Sequence, residues 1–208
     1  MEESVRLAPR ETAAGREFTN PGTTAPDLAA AARMLAEIQQ QVRRGVRVPA
    51  RARPLVVQRE EAGGRLHRAI IFDPGRLGDG RDLVWVGFFG VKRREVDSAP
   101  LSAIDDELVQ ELPAHPDILS YSSLELDDGD WGNLILLDGD AAREDWRASP
   151  RHAYATRELA PRHYRHVRLH QGVLPGGARA GGAPVLRRTK YYDYGAGGTW
   201  RAEREWPP

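Results

Sequence analysis

Residues 82–92 read DLVWVGFFGVK, and this run constrains the fold more than any other stretch of the 208-residue chain. Apolar, aromatic and β-branched residues follow one another with no polar alternation, the pattern of a strand buried on both faces. Such a strand needs cover from two sides. Helices can close one face of its sheet, and the sheet of a second subunit is the expected cover for the other.

The flanking segments supply the rest of an α+β domain. RLHRAIIF (65–72) reads as a strand and PGRLGDG as a turn. A helix is predicted over 101–112, with Ser102 as its cap, Ile104, Leu108 and Leu112 as its inner stripe, and Pro113 as its stop. ILSYSSLEL (118–126) and WGNLILL (131–137) read as strands joined by the hairpin turn DDGD, where Asp-Gly tolerates positive φ. A helical stretch follows at 140–147. Ser149-Pro150 opens another helix that ends at Pro161, and YRHVRLHQG (164–172) alternates as a strand. From 82 to 172 the order is βαββαβ, the ferredoxin-like arrangement of helices on one face of an antiparallel sheet.

Outside this unit, residues 1–23 lack periodicity and read as a mobile tail. Residues 24–64 read as an N-terminal helix and a basic linker, 65–194 as the α+β domain, and 195–208 as a tail pinned by Trp200 and Trp206. In the N-terminal helix Leu28, Ala31, Leu35, Ile38 and Val42 form one stripe, and Thr24 with Asp27 resembles a capping box. That stripe packs on the main domain or on a second subunit. RRGVRVPARARP (43–54) reads as a solvated linker, VLPGGARAGGAP (173–184) as a flexible loop and VLRRTKYYDY (185–194) as an additional strand.

Composition removes several classes. A net charge of zero argues against a dedicated nucleic-acid binder, and no apolar run reaches the ~18–20 residues of a membrane span. The absence of cysteine excludes disulfides, thiolate metal sites and a cysteine nucleophile, and it fits a cytoplasmic protein. The first 22 residues carry early acids and no apolar core, unlike a secretory signal. Asp127, Asp128 and Asp130 do not continue into a calcium loop, and neither a dinucleotide fingerprint in its strand–helix context nor a GxSxG elbow occurs.

Four of the six histidines, His152, His163, His166 and His170, fall between Ser149 and Gly172. On a strand His166, Arg168 and His170 share a face, with the two histidines ~13 Å apart, too far to share one metal ion. No metal site is therefore expected. With Ser149 as cap, His152 occupies the first helical turn, where the helix terminus favours the uncharged imidazole and so a general base. His67 and His115 have no evident partner.

The stretch from Trp131 to Tyr164, with Trp146 and the element Ser149-Pro150-Arg151-His152, resembles the second half of dimeric α/β-barrel proteins. These include antibiotic-biosynthesis monooxygenases, stress-responsive barrel proteins and some polyketide cyclases; the similarity spans roughly 82–172. The resemblance implies a homodimer acting on a small aromatic or polyketide-like molecule without nucleic acid or membrane as partner. His152 would relay a proton, with Tyr154 and Tyr121 as phenols. His166, Arg168 and His170 would hold an oxygen of the substrate in a cavity that Trp85 and Phe89 help to line. Cyclisation, isomerisation or cofactor-free oxygenation would need no cofactor. Haem-using relatives imply an alternative with His152 or His163 as axial ligand. A non-catalytic assembly protein is the third reading.

Overall fold

The computed structural model describes residues 4–195 and 198–207; the parts of the two expected tails at 1–3, 196–197 and 208 lie outside the described residues. The chain is an α+β fold around one mixed sheet. Its strands are β1 (Val5–Leu7), β2 (Leu55–Glu60), β3 (Leu66–Ile71), β4 (Leu83–Lys92), β5 (Ile118–Glu125), β6 (Trp131–Leu137), β7 (Tyr164–Leu174), β8 (Val185–Asp193) and β9 (Trp200–Glu205). They lie in the order β1-β9-β8-β7-β4-β6-β5-β3-β2. β1 pairs parallel to β9, and the other neighbouring pairs are antiparallel. The helices are α1 (Thr24–Arg43), α2 (Pro74–Leu77), α3 (Ala99–Glu111), α4 (Asp140–Ala148), α5 (Pro150–Tyr154) and α6 (Ala160–His163), with a π-helical turn at Ala155–Leu159.

This sheet is larger than a simple βαββαβ unit. The expected tails and linker contribute three of its strands: β1 lies in the segment read as mobile, β2 in the basic linker and β9 in the C-terminal tail. Each is an edge or near-edge strand, and β1 and β9 carry charged residues at every second position or more, so a hydrophobic period does not announce them. The linker's Arg51 donates to the carbonyls of His115 (2.7 Å) and Ile118 (2.8 Å) instead of standing in solvent.

β4 is covered on both faces, fully on the Trp85 side and partly on the Val84 side, but the second cover differs from the expected one. Leu83, Trp85 and Phe89 of β4, with Ala69, Ile71, Leu124, Leu134, Leu136 and Leu174, pack against α1 through Ala31, Met34, Leu35, Ile38 and Val42. The chain's own N-terminal helix thus covers the face assigned in the sequence to a partner subunit's sheet. On the opposite face α3 and α4 pack on Ile70, Tyr121, Ile135 and Leu137. Gly172 permits the close approach at the centre: a Cβ there would lie 2.0 Å from the Val185 carbonyl oxygen, beside the indole of Trp85. That indole donates to the same carbonyl at 3.2 Å. At the β5–β6 hairpin Gly129 has φ +77°, which the Asp-Gly pair supplies.

Candidate functional site

The polar residues predicted on β7 do not face a cavity. Arg168 and His170 point at α1, where Asp27 meets them. Arg168 donates to both Asp27 carboxylate oxygens, at 2.6 and 2.9 Å, and His170 Nε2 lies 2.9 Å from Asp27 Oδ2. His170 Nδ1 lies 2.9 Å from the Thr189 hydroxyl, which also accepts from the Trp206 indole at 2.9 Å. Burial raises the pKa of Asp27, but the hydrogen bonds from Arg168 and His170 outweigh it and hold the carboxyl below its ordinary value. Asp27 and His170 are 4% and 0% exposed on their side chains. The expected capping box therefore does not form: Asp27 is taken by β7, and the α1 terminus has no side-chain cap.

His166 is stacked on Phe18, centroids 4.2 Å apart, under the N-terminal segment. Burial, then Arg168, pushes its pKa down to about 4. Trp85 and Phe89 are core residues beneath α1. The five residues assigned to substrate binding thus form interior packing and a clamp on the N-terminal helix, because α1 and the preceding segment fill the space they face.

His152 does follow a Ser149 cap, whose hydroxyl accepts from the His152 backbone N–H at 3.3 Å. Its ring leans on Trp146, centroids 5.3 Å apart. Burial, then Arg147, lowers its pKa to about 4, a larger effect than a helix terminus supplies. An imidazole lowered this far is uncharged at neutral pH. Tyr154 is exposed, with 49% of its surface open, and His163 is buried in the turn entering β7. An axial haem ligand stands in a flat apolar slot as wide as a porphyrin. His152, its ring against Trp146, and His163, 6% exposed, do not present that arrangement. The histidines without an evident sequence partner have partners in space: His67 lies within 3.1 Å of both Glu61 and Ser122, and His115 within 2.7 Å of Asp145. Among the described residues no cluster of three or more His, Asp or Glu could hold a metal ion, and no helix is long and apolar enough to cross a membrane.

Titratable chemistry converges instead on the face covered by α3 and α4, around Asp105 of α3. The Tyr121 hydroxyl donates to Asp105 Oδ1 at 3.1 Å, and Arg68 of β3 donates to Oδ2 at 3.3 Å. The Arg68 guanidinium also lies over the Tyr121 ring, 6.0 Å from its centroid. Burial raises the Asp105 carboxyl, and this exceeds the lowering by Tyr121 and Arg68, so the group stays above its ordinary value. Its side chain nevertheless keeps 43% of its surface open. Tyr121 is almost fully buried and its phenol is pushed well above the usual range, first by burial and then by Asp105. Tyr164 is a second phenol in electrostatic reach. Burial, then Asp105, holds it up, and its ring packs edge-on against Phe88 at 5.4 Å. Among the described residues the Tyr164 hydroxyl makes no hydrogen bond, so it is available to a bound molecule.

Of these groups the sequence reading includes only Tyr121. Asp105 carried a signal: it falls four residues after Leu101 and four before Val109, on the inward side of the α3 stripe, where an acid needs a reason. Arg68 follows from strand parity, since it stands two residues from Ile70, the partner of Tyr121, and so on the same sheet face.

No family model matches the sequence, and no curated protein is significantly similar to it. Solved structures that are distantly alike include the following two. Protein SO0527 from Shewanella oneidensis matches with a TM-score of 0.38 and 15% identity, over 46% of this chain and 94% of its own. A "putative monooxygenase" from Lactobacillus acidophilus NCFM matches with a TM-score of 0.39 and 9% identity, over 77% of this chain and 92% of its own. Likeness of this size carries no conclusion about chemistry.

Proposed function

We propose that the chain is a small-molecule enzyme of ferredoxin-like build whose reaction is proton transfer by Asp105. The observation that carries this reading is the Asp105 carboxyl itself: raised by burial, fixed by Tyr121 and Arg68, and still partly open. A raised carboxyl is the better base, and a fixed one reacts without reorganising. The free Tyr164 phenol would donate to a substrate oxygen on which charge develops, and Phe88 offers an aromatic wall. Isomerisation or cyclisation of a small aromatic or enolisable carbonyl compound needs these groups alone: Asp105 takes the proton from carbon and returns it to another atom of the substrate.

The ferredoxin-like part of the proposal is supported by the order β7-β4-β6-β5 at the centre of the sheet, with helices between β4 and β5 and between β6 and β7. A dimeric barrel through the other face is not part of it, since α1 occupies that face. The test is a two-dimensional NMR titration with small phenols and enolisable ketones, repeated on Asp105→Asn. Saturable shifts centred on Arg68, Asp105, Tyr121 and Tyr164, with proton exchange at the ketone's α-carbon lost in the variant, would support it. Shifts elsewhere, or exchange unchanged in Asp105→Asn, would overturn it.

A further inference from the structure

The side chains that face α3 and α4 change character from one row of the sheet to the next. In one row Val86, Ile135, Tyr121 and Ile70 stand directly opposite one another across β4, β6, β5 and β3. Apart from the Tyr121 hydroxyl this row is apolar, and it belongs to the core beneath the two helices. The next row, two residues along each strand, holds Phe88, Asn133, Ser123 and Arg68. An amide, a hydroxyl and a guanidinium thus follow one another beside a band of hydrocarbon.

This polar row joins groups already described. Arg68 at one end donates to Asp105, and Phe88 at the other packs edge-on against Tyr164. Asn133 and Ser123 lie between these anchors, and side chains directly opposed in this way have Cβ atoms about 4.5–5.5 Å apart. Asp105 keeps part of its surface open, and Asn133 and Phe88 are half-buried, so the row is reached from solvent. Among the described residues neither the Asn133 amide nor the Ser123 hydroxyl has a hydrogen-bond partner. Ser123 is only 4% exposed, yet its oxygen is not sealed off, so the little surface it keeps includes that oxygen. A hydroxyl this deep and unpaired, opening beside an unpaired amide, is a position that a bound polar atom would satisfy.

We propose that Asn133, with Ser123 beside it, binds a second oxygen of the substrate, and that the substrate is an aryl carbonyl compound carrying two oxygens. The inference rests on the Asp105 reading given above. There Tyr164 holds the oxygen on which charge develops, and Asp105 takes the proton. Asn133 fixes the other oxygen and so sets which carbon stands before Asp105. An amide both donates and accepts, so a diketone and a hydroxy-ketone fit equally. A second carbonyl also makes the C–H between the two far more acidic than that of a simple ketone, which suits a base as weak as a carboxylate.

Benzoylacetone and butyrophenone share one carbon skeleton, and only the first has the second oxygen. Calorimetric titration of both tests the site. The wild type is expected to bind benzoylacetone about tenfold more tightly, the worth of one or two hydrogen bonds. Asn133→Leu should bring the two affinities within about twofold of each other. Ser123→Ala should narrow the gap by about threefold and stands in if Asn133→Leu does not fold. Equal affinity of the wild type for both compounds, or a gap that both variants keep, would overturn the site. Deuterium exchange at the α-carbon of butyrophenone, compared between the wild type and Asp105→Asn, reports separately on the base. A gap closed by Asn133→Leu with exchange that survives in Asp105→Asn supports the oxygen site and overturns the base. A gap kept in both variants with exchange lost in Asp105→Asn does the reverse.

Discussion

Asp27 joins two parts of the chain that are more than 140 residues apart, and it does so with charge instead of apolar surface. Removing one member of a buried, hydrogen-bonded pair strands the others. Asp27→Ala is expected to lose about 3–5 kcal/mol of stability, measured by urea denaturation. Acid should act at the same place. Because the folded Asp27 carboxyl lies below its ordinary 3.8, its contribution is complete above that pH and is lost as pH falls below it. Histidines act in an earlier window. His152 and His166 titrate near 4 in the fold and near 6.5 in the unfolded chain, so the unfolded state binds more protons between these values. Stability should therefore fall as pH is lowered from about 6.5 to about 4. Asp105, held above its ordinary value, opposes the acid loss. Melting temperatures from pH 7.5 to 3 would show the first decline, and His166→Gln should flatten it.

Among the elements, α1 decides how much of the sheet is closed. Ile38 is fully buried against it, and Ile38→Ala is expected to cost about 2–5 kcal/mol while leaving the molecular mass in gel filtration unchanged. A mass change without a stability loss would point to an assembly role for the helix instead. The α1 stripe was legible in the sequence because Ala31, Leu35, Ile38 and Val42 repeat with helical period, and β4 was legible because its run has no polar face. What covered β4 was not, since an apolar stripe fits a subunit's sheet and the chain's own sheet equally well. The candidate site was read less well than the fold. Arg168 and His170 look like a ligand face in one dimension, and only Asp27, far away in sequence, turns them into a clamp. Asp105 gave the opposite impression, as one acid among the neighbours Asp106 and Glu107 on a surface helix.

At the scale of the whole molecule, Arg204 holds the N-terminal segment to the sheet. It is fully buried and donates to the carbonyls of Ala8, Glu11 and Thr19 and to the Tyr191 hydroxyl, with no carboxylate among these partners. Arg204→Met would take a donor from all three carbonyls, leaving Ala8 the Glu11 amide, while keeping much of the packed volume. Amide hydrogen exchange should then rise by at least about tenfold across residues 8–19 and stay near its wild-type level in β5 and β6. Equal protection in both proteins would show that the segment is held by its apolar contacts alone, through Phe18 and Leu7.

The parallel pairing of β1 with β9 also sets how the molecule would bear a load. Val5, Arg6 and Leu7 run alongside Ala202, Glu203 and Arg204 in the same direction. A pull applied to Val5 and Glu205 would slide the two strands along each other, so that the rungs between them are strained together and not peeled one by one. The seam between the two ends of the chain is short, but it is oriented to resist tension, and the Arg204 side chain is bolted across it.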